Sequence, residues 1–285
     1  MKKSGFLVLI MILFFIGGQV YSPGPDIELE SQLSSYERDM RAAELQEVKV
    51  ETNQLHAGDL VLVNREYAAE EQGIKQDLID LANQQEIVGD FSIYEKELVL
   101  SQEIAEKFVE MMAAARMDGV SNFVMTSGYR SFSQQEALYE EMGSSFALPA
   151  GHSEHHLGLS LDVGSTEMKM DKAPEGKWIE ENSWKFGFIL RYPKNKTDVT
   201  GMEYEPWHIR YVGLPHSVIM KEKNFVLEEY LIYLKNEKRI FAMVDDKNYL
   251  ISYYPVSEAE NIRVQKDRSY EISGDNIEGI IVTEH

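Results

Sequence analysis

The feature that most restricts how this chain can fold is the complete absence of cysteine from its 285 residues. Disulfide bonds, cysteine-ligated zinc, iron–sulfur clusters and thiol nucleophiles are all excluded. A hydrophobic core must therefore hold the chain together, and the length suffices for one or two domains with a large core. With 44% hydrophobic and 27% charged residues, the composition is that of a globular protein. Any chemistry must come from His, Asp, Glu, Ser, Arg or Tyr.

The charge of the chain is strongly negative. It contains 28 Lys and Arg residues against 48 Asp and Glu residues, which leaves a formal net charge of −20. A surface with this charge repels polyanions and is a poor match to anionic lipid head groups. We therefore expect no nucleic-acid partner.

Residues 1–22 have the pattern of a membrane-targeting segment. Lys2 and Lys3 precede the apolar run Phe6–Ile16, and no charge occurs between Ser4 and Pro25. The run is intermediate in length between a signal peptide and a membrane span, and no A-x-A cleavage site follows it. We expect an uncleaved anchor, with a cleaved signal segment as the alternative. The expected location is the cell membrane, with a single N-terminal anchor and the remaining chain outside the cytoplasm.

Three further regions follow the targeting segment. Residues 23–57 are acidic and lack firm periodicity, which predicts a spacer that is partly helical around Ser34–Val48. The helix and strand patterns of residues 58–237 predict a compact α+β domain. Residues 238–285 contain short alternating runs that predict a C-terminal β appendage, too small to be stable alone. The sequence therefore divides into a targeting segment, a spacer, one main domain and a β appendage.

The main domain shows local signals for helices and strands. Ser101 is a candidate N-cap for a helix that places Ile104, Phe108, Met111, Met112 and Ala115 on one face. The pair Ser133 and Glu136 has the spacing of a capping box for a second helix. The other expected elements are strands at Leu60–Asn64, Asn122–Ser127 and Leu159–Val163, extended segments at Gly187–Tyr192 and Trp207–Val212, and helices at Lys177–Phe186, Leu214–Lys221 and Asn224–Lys235.

The histidines carry the main functional signal. Three of the seven lie in the segment Gly151–Asp162, and another closes the segment Tyr204–His208. His155, an Asp seven residues later and the distant His208 form a plausible three-ligand zinc set with a fourth position left for water. Glu205 precedes His208 by three residues, which suits a general base beside the metal. By spacing alone, solvated loop histidines remain the alternative.

Longer strings add to this pattern. The segments Ser127-Gly128-Tyr129-Arg130-Ser131, then Ser153-x-His155-x-x-Gly158-x-Ser160-x-Asp162, then Glu205-Pro206-Trp207-His208 occur in this order. Together they closely resemble the zinc D,D-carboxypeptidases of the VanY type, in the D-Ala-D-Ala metallopeptidase family, over roughly residues 60–235. The resemblance implies a small antiparallel sheet flanked by helices, the hedgehog-like fold. This chain departs from the commonest family form at His156 and Leu157, where Gln and Thr are usual, and at Ser160, where Ala is usual.

The resemblance also implies an activity, a cofactor and roles for particular residues. The activity is zinc-dependent, penicillin-insensitive removal of the terminal D-alanine from peptidoglycan stem peptides, in glycopeptide resistance or cell-wall remodelling. One zinc ion per chain is expected on His155, Asp162 and His208, with Glu205 as the base and Arg130 facing the oxyanion. The candidates for substrate contact are Tyr129, Gln135, Ser153 and Trp207. His152 and His156 are expected to be solvated or to lie beside the ligands rather than to bind the metal, and His56, His216 and His285 are expected at the surface.

Other functions are less consistent with the sequence. A serine D,D-peptidase would need Ser-x-x-Lys and Lys-Thr-Gly, and a zincin would need His-Glu-x-x-His; all three are absent. A D,D-dipeptidase of the same family would use the same metal ligands and stays open as an alternative. A catalytically silent, zinc-stabilised cell-wall binding module is another, but binding alone would require neither Glu205 nor Arg130.

Overall fold

A computed structural model describes residues 27–29, 44–84, 91–94, 97–143 and 147–285. The predicted targeting segment, residues 1–22, lies outside this part of the chain. Within the described ranges, no helix combines the length and apolar character needed to cross a membrane. The strands are β1 (Ile27–Leu29), β2 (Leu45–Lys49), β3 (Leu78–Asp80), β4 (Ser92–Ile93), β5 (Val99–Ser101), β6 (Phe123–Ser127), β7 (Ser160–Ser165), β8 (Phe188–Leu190), β9 (His208–Tyr211), β10 (Arg239–Val244), β11 (Lys247–Pro255), β12 (Asn261–Gln265), β13 (Tyr270–Gly274) and β14 (Gly279–Glu284). The α-helices are α1 (Gln102–Met117), α2 (Phe132–Met142), α3 (Pro174–Asn182), α4 (Thr197–Thr200), α5 (His216–Lys223) and α6 (Leu227–Glu237).

The sheet of the main domain sets the positions of the polar clusters. Its strand order is β4-β6-β7-β9-β8, and all pairs are antiparallel except β4 with β6. The register of β7 and β9 places Asp162 directly opposite His208. On the other side of β7, Ser127 at the end of β6 pairs with Asp162. The three ordered motifs therefore meet on adjacent strands, and the predicted α+β fold is confirmed.

The long helix α1 follows the sequence prediction closely. Ser101 caps it by accepting a hydrogen bond from the backbone N–H of Ile104. The predicted apolar face is buried: Ile104, Phe108, Met111, Met112 and Ala115 all belong to the core beneath the sheet. Burial of this face stabilises the helix more than its intrinsic propensity does.

The start of α2 differs from the prediction. The capping box consists of Ser131 and Gln134, not Ser133 and Glu136, and the helix begins at Phe132. Ser131 accepts from the N–H of Gln134, while the Gln134 side chain accepts from the N–H of Ser131. Both pairs have the same spacing, so the local pattern alone did not distinguish them.

The predicted strand at Leu60–Asn64 is not part of any sheet. Leu60, Val61, Leu62 and Val63 are buried as expected of an apolar run. Their backbone groups, however, bond to other parts of the chain: Arg210 donates to the carbonyl of Val61, and the N–H of Leu62 donates to the carbonyl of Asp275. The segment is irregular and is hydrogen-bonded both to β9 and to the C-terminal region.

The C-terminal β appendage includes strands from the predicted spacer. Its main sheet has the order β1-β10-β11-β14-β13, and β2 pairs with β12 in a separate two-stranded sheet. The expected helix at Ser34–Val48 is therefore wrong for its described part, since Leu45–Lys49 is a strand. Residues 34–43 lie outside the described ranges. The alternating runs at the start of the predicted β appendage form the antiparallel hairpin of β10 and β11, with Asp245 and Asp246 at positive φ in its turn.

The appendage is joined to the main domain by a shared core. Apolar residues of α5 and α6 pack with those of β10, β11 and β14 in one cluster. His216, expected at the surface, is buried within it and bonds to Tyr230 and Thr283. His56 is half-buried and bonds to Asn276, whereas His285 is exposed as expected. A small β unit that was expected to be unstable alone thus acquires its core from two helices of the main domain.

Candidate metal centre and active site

The three predicted metal ligands come together in one cluster. His155 lies in a short 3-10 turn before β7, Asp162 lies on β7, and His208 is the first residue of β9. One potential ligand atom from each residue lies within 4.8 Å of the other two. His155 Nε2 is 3.5 Å from Asp162 Oδ2, and His208 Nδ1 is 2.9 Å from Asp162 Oδ1. The strand register and the turn thus create the cluster that sequence spacing only suggested.

Each imidazole of the cluster has its second nitrogen fixed by another group. His155 Nδ1 lies 2.6 Å from the carbonyl oxygen of Gly128, and His208 Nε2 lies 3.4 Å from Glu154 Oε2. Metal-binding histidines characteristically use the second nitrogen in this way. Two histidines and one carboxylate also match the three-ligand sets of catalytic zinc sites. The residues present therefore fit a zinc ion.

The charges within the cluster shift the pKa values of Asp162 and His208. Burial raises the pKa of Asp162, but the charges and hydrogen bonds of His155 and His208 outweigh it and hold that pKa well below its usual range. Burial lowers the pKa of His208, but hydrogen bonds to Asp162 and Glu154 raise it to about 9. The Asp162 side chain retains 20% exposure, whereas His208 retains 5%. The cluster therefore contains an ionised carboxylate, and Asp162 is its most accessible member.

Glu205 lies beside the cluster through a tight turn. The N–H of His208 donates to the Glu205 carbonyl, and the N–H of Glu205 donates to the Tyr192 carbonyl. Burial raises the pKa of the Glu205 carboxyl, and the negative charges of Asp162 and Glu154 raise it further. A carboxyl group with a raised pKa next to a metal site is suited to accept and return a proton.

Arg130 is held rigidly at both its backbone and its side chain. Its N–H donates to the carbonyl of His155, and its carbonyl lies 2.7 Å from His156 Nδ1. The guanidinium donates to Gln135 Oε1 and Ser127 Oγ at 2.9 and 3.0 Å. A cation fixed in this way needs little reorganisation when negative charge develops near it.

Two predicted substrate contacts have structural partners in the described chain. Gln135 is 2% exposed, and its Nε2 donates to the carbonyl of Leu148 while its Oε1 accepts from Arg130. Gln135 is therefore a positioning residue for Arg130. Ser153 Oγ accepts from the N–H of His155 and caps the 3-10 turn Glu154–Leu157, which carries His155. Trp207 is 40% exposed and Tyr129 is half-buried, so these two side chains remain accessible.

The sequence analysis missed several charged residues behind the cluster. Glu154 is 2% exposed, and Arg191 and Arg210 are fully buried. Burial raises the pKa of Glu154, but the charges of Arg191 and Arg210 hold it well below its usual range. Tyr192 was also missed; its ring stacks on His208 with centroids 5.1 Å apart. For Arg191 and Arg210, the available signal was a charged residue within each of the predicted extended segments Gly187–Tyr192 and Trp207–Val212.

Comparison with known proteins identifies the family. The family described as "VanY: D-alanyl-D-alanine carboxypeptidase" matches residues 97–214. A D-alanyl-D-alanine carboxypeptidase of Enterococcus faecium is 47% identical over 291 residues, covering 99% of this chain and 96% of the relative. The chain belongs to the VanY D-alanyl-D-alanine carboxypeptidase family. The resemblance inferred from the three motifs is thereby confirmed.

Solved structures show that the similarity includes the fold as well as the sequence motifs. A vancomycin resistance D,D-dipeptidase, VanXYg, in complex with a D-Ala-D-Ala phosphinate analogue has a TM-score of 0.73 at 28% identity. The match covers 85% of this chain and 99% of that one. VanY from a VanB-type resistance cassette, in complex with Zn(II), has a TM-score of 0.50 at 31% identity, covering 61% and 98%. The fold is therefore that of the VanX/VanY metallopeptidases.

Proposed function

We propose that this protein is a zinc-dependent D,D-carboxypeptidase that removes the C-terminal D-alanine from peptidoglycan stem peptides. The observation that carries the proposal is the convergence of His155, Asp162 and His208 beside Glu205 and Arg130. The E. faecium relative with 47% identity is a D-alanyl-D-alanine carboxypeptidase, which supports the same activity here. The VanY neighbour in complex with Zn(II) supports zinc as the cofactor.

The roles of the chain's own groups follow from their environment. When bound, zinc supplies a Lewis acid that polarises a carbonyl and makes a water molecule more acidic. Glu205 takes a proton from the attacking water and returns it to the departing amine of D-alanine, because its raised pKa suits both transfers. Arg130, fixed by Gln135 and Ser127, stabilises the negative charge that develops on the scissile carbonyl oxygen.

The accessible aromatic side chains are the proposed substrate contacts. Trp207 adjoins the ligand His208 in the chain and is 40% exposed, so its ring is available to pack against the peptide. Tyr129 adjoins Arg130 and is half-buried. Ser153 is a weaker candidate, because its hydroxyl already accepts a hydrogen bond from the backbone N–H of His155.

Replacement of Glu205 tests the mechanism. Glu205→Gln keeps the size and polarity of the side chain but cannot accept a proton. We expect stoichiometric zinc to remain bound while kcat for release of D-alanine from a D-Ala-D-Ala-ended pentapeptide falls by about 10²–10⁴-fold. Glu203→Gln, at an exposed position two residues away, is the matched control and should leave kcat unchanged. Loss of zinc from Glu205→Gln would identify Glu205 as a ligand and contradict the mechanism.

A D,D-dipeptidase is the second candidate, favoured by one observation. The dipeptidase VanXYg matches 85% of this chain, whereas the VanY neighbour in complex with Zn(II) matches 61%. The two activities separate when free D-Ala-D-Ala and a pentapeptide are compared as substrates. A carboxypeptidase should prefer the pentapeptide by kcat/KM, whereas a preference for the free dipeptide would identify a dipeptidase. Wild-type protein that binds zinc but hydrolyses neither would identify a silent binding module.

Location and physiological role belong to the same proposal. The basic residues Lys2 and Lys3 before the apolar run Phe6–Ile16 support a single N-terminal anchor with the enzyme domain outside the cytoplasm. At that position the domain would meet stem peptides ending in D-Ala-D-Ala. Removal of the terminal D-alanine would contribute to resistance to vancomycin-type antibiotics. Fractionation of cells expressing the full chain tests the anchor: the enzyme should sediment with membranes, and replacement of residues 1–22 by a cleavable signal peptide should release it.

A further inference from the structure

A buried ion network lies directly behind the metal ligands. At its centre is Glu154, the residue between Ser153 and His155, which is 2% exposed. Its Oε1 accepts hydrogen bonds from Arg191 Nε at 2.8 Å and from Arg210 Nη1 at 3.0 Å. Its Oε2 faces His208 Nε2 at 3.4 Å and accepts from Ser160 Oγ at 3.3 Å. One carboxylate oxygen is thus used for anchoring and the other faces a metal ligand.

The anchors of Glu154 reach distant parts of the main domain. Arg191 donates two further hydrogen bonds to Glu228, in the first turn of α6, at 2.7 and 2.9 Å. Arg210 Nη2 donates to the carbonyls of Asp59 and Val61 at 2.9 and 3.0 Å. Both guanidinium groups are fully buried, so neither can be solvated if its partners move. The position of Glu154 is therefore fixed through β9, which carries Arg210, through α6 and through the segment Asp59–Val61.

Stability alone is a weak explanation for such a network. Desolvation of buried ion pairs costs about as much as their attraction returns, and well-packed apolar residues of similar volume are often equally stabilising. The network is better explained by the side chain that it orients. Among the described residues, the imidazole ring that Glu154 Oε2 faces is that of His208. The other nitrogen of this ring, Nδ1, lies 2.9 Å from Asp162 Oδ1.

We propose that Glu154 is a positioning residue that holds the proton of His208 on Nε2, so that Nδ1 is the nitrogen presented to the metal. A histidine ligand needs a neutral ring with its lone pair directed at the ion, and the acceptor at the other nitrogen determines which nitrogen that is. The opposite arrangement holds at His155, where Nδ1 faces the carbonyl of Gly128 and Nε2 faces Asp162. The two histidines should therefore bind through different nitrogens. This inference rests on the proposed zinc centre.

The main test measures zinc affinity in the absence of substrate. Glu154→Gln removes the charge that anchors Oε1 and weakens the acceptor at His208 Nε2. We expect the zinc dissociation constant, measured by competition with a chelator, to rise about 10–100-fold, the usual effect of replacing a group that supports a ligand. Glu229→Gln is the matched control, since its carboxylate lies beside Glu228 in α6 but pairs with Lys196 outside the network. Its dissociation constant should equal that of wild type.

A spectroscopic measurement covers the case in which Glu154→Gln does not fold. Long-range ¹H–¹⁵N correlation spectra of zinc-loaded wild-type protein distinguish rings protonated at Nδ1 from rings protonated at Nε2. We expect His155 to carry its proton on Nδ1 and His208 to carry it on Nε2, with the His208 signals assigned by their loss in His208→Gln. A His208 ring protonated at Nδ1 would overturn the proposal.

The outcomes also separate this inference from the proposed function. A folded Glu154→Gln protein with a lower melting temperature but an unchanged zinc dissociation constant would show a purely structural role and overturn the inference alone. Wild-type protein that binds no zinc would overturn both. Wild-type protein that binds zinc with His208 protonated on Nε2 but releases no D-alanine would leave the inference standing and contradict the proposed function.

Discussion

The buried histidine at the start of α5, His216, makes the stability of the protein depend on pH in a calculable way. His216 is 4% exposed, and its two ring nitrogens bond to Tyr230 Oη at 2.8 Å and Thr283 Oγ1 at 3.0 Å. Burial lowers its pKa from 6.5 to about 3. The folded state therefore keeps this ring neutral under conditions in which the unfolded chain protonates it.

The sign and size of the effect follow from proton linkage. Above pH 6.5 the ring is neutral in both states and contributes nothing to the pH dependence. As the pH falls from 6.5 towards 3, only the unfolded state takes up the proton, and the free energy of unfolding decreases by about 1.4 kcal/mol per pH unit. Between pH 7.5 and pH 5.0, His216 should therefore cost the folded state about 2 kcal/mol.

Urea denaturation of wild type and His216→Gln at these two pH values tests the estimate. Other groups titrate equally in both proteins, so the difference between the two pH-dependent losses isolates His216. Wild type should lose about 2 kcal/mol more than the variant between pH 7.5 and pH 5.0. His285→Gln, at an exposed position, controls for the loss of an imidazole. Equal losses in wild type and His216→Gln would refute the reasoning, because His216 would then be protonated equally in the folded and unfolded states.

Three further predictions concern the site. D-alanine release should be abolished by a chelator, restored by added zinc and unaffected by penicillin, because the chain has no Ser-x-x-Lys; covalent labelling by penicillin with loss of activity would contradict this. Arg130→Ala should retain zinc but lower kcat about 10²–10³-fold, more than it raises KM; a raised KM with unchanged kcat would make Arg130 a substrate anchor instead. His156→Gln can replace both ring contacts, to the Arg130 carbonyl and the Gly151 N–H, so its kcat should stay within about threefold of wild type, whereas His156→Leu should lose about 1–3 kcal/mol of stability and more than about threefold in kcat. Steady-state kinetics and melting temperatures measured on both variants decide the last case, and equal behaviour of the two would show that these contacts are dispensable.

Local sequence signals were sufficient where an element is defined by its own residues. The apolar face of α1 repeats at helical spacing and begins at a capping serine, so both its extent and its buried side were predictable. The hairpin of β10 and β11 was equally evident from its alternation and its Asp245-Asp246 turn. Where two local signals competed, as at the start of α2, the sequence did not decide between them, because Ser131 and Ser133 offer the same capping chemistry.

The sequence also determined which residues could form the site, but not how they are arranged. The order of the three motifs predicted the metal ligands, the base and the arginine, and the structure brings the three predicted ligands together. Sequence spacing could not identify Gln135 as the support of Arg130, because that role depends on a contact with the distant carbonyl of Leu148. For the same reason the strand pairing of Leu45–Lys49 was missed, since its partner β12 lies more than two hundred residues further along the chain.

What only the tertiary structure decided is the set of contacts between residues far apart in the chain. The antiparallel register of β7 and β9 places Asp162 opposite His208, and a shift of one residue would turn one of them to the other face of the sheet. Burial strengthens the effect of the surrounding charges: Glu154 is anchored by Arg210 on β9 and by Arg191 directly after β8, and it faces His208 where all of these side chains are buried. Periodicity and capping act over a few residues, whereas register and burial are set by the packing of whole elements. The sequence therefore determined the chemical groups of this site, and the packing of the sheet determined their geometry.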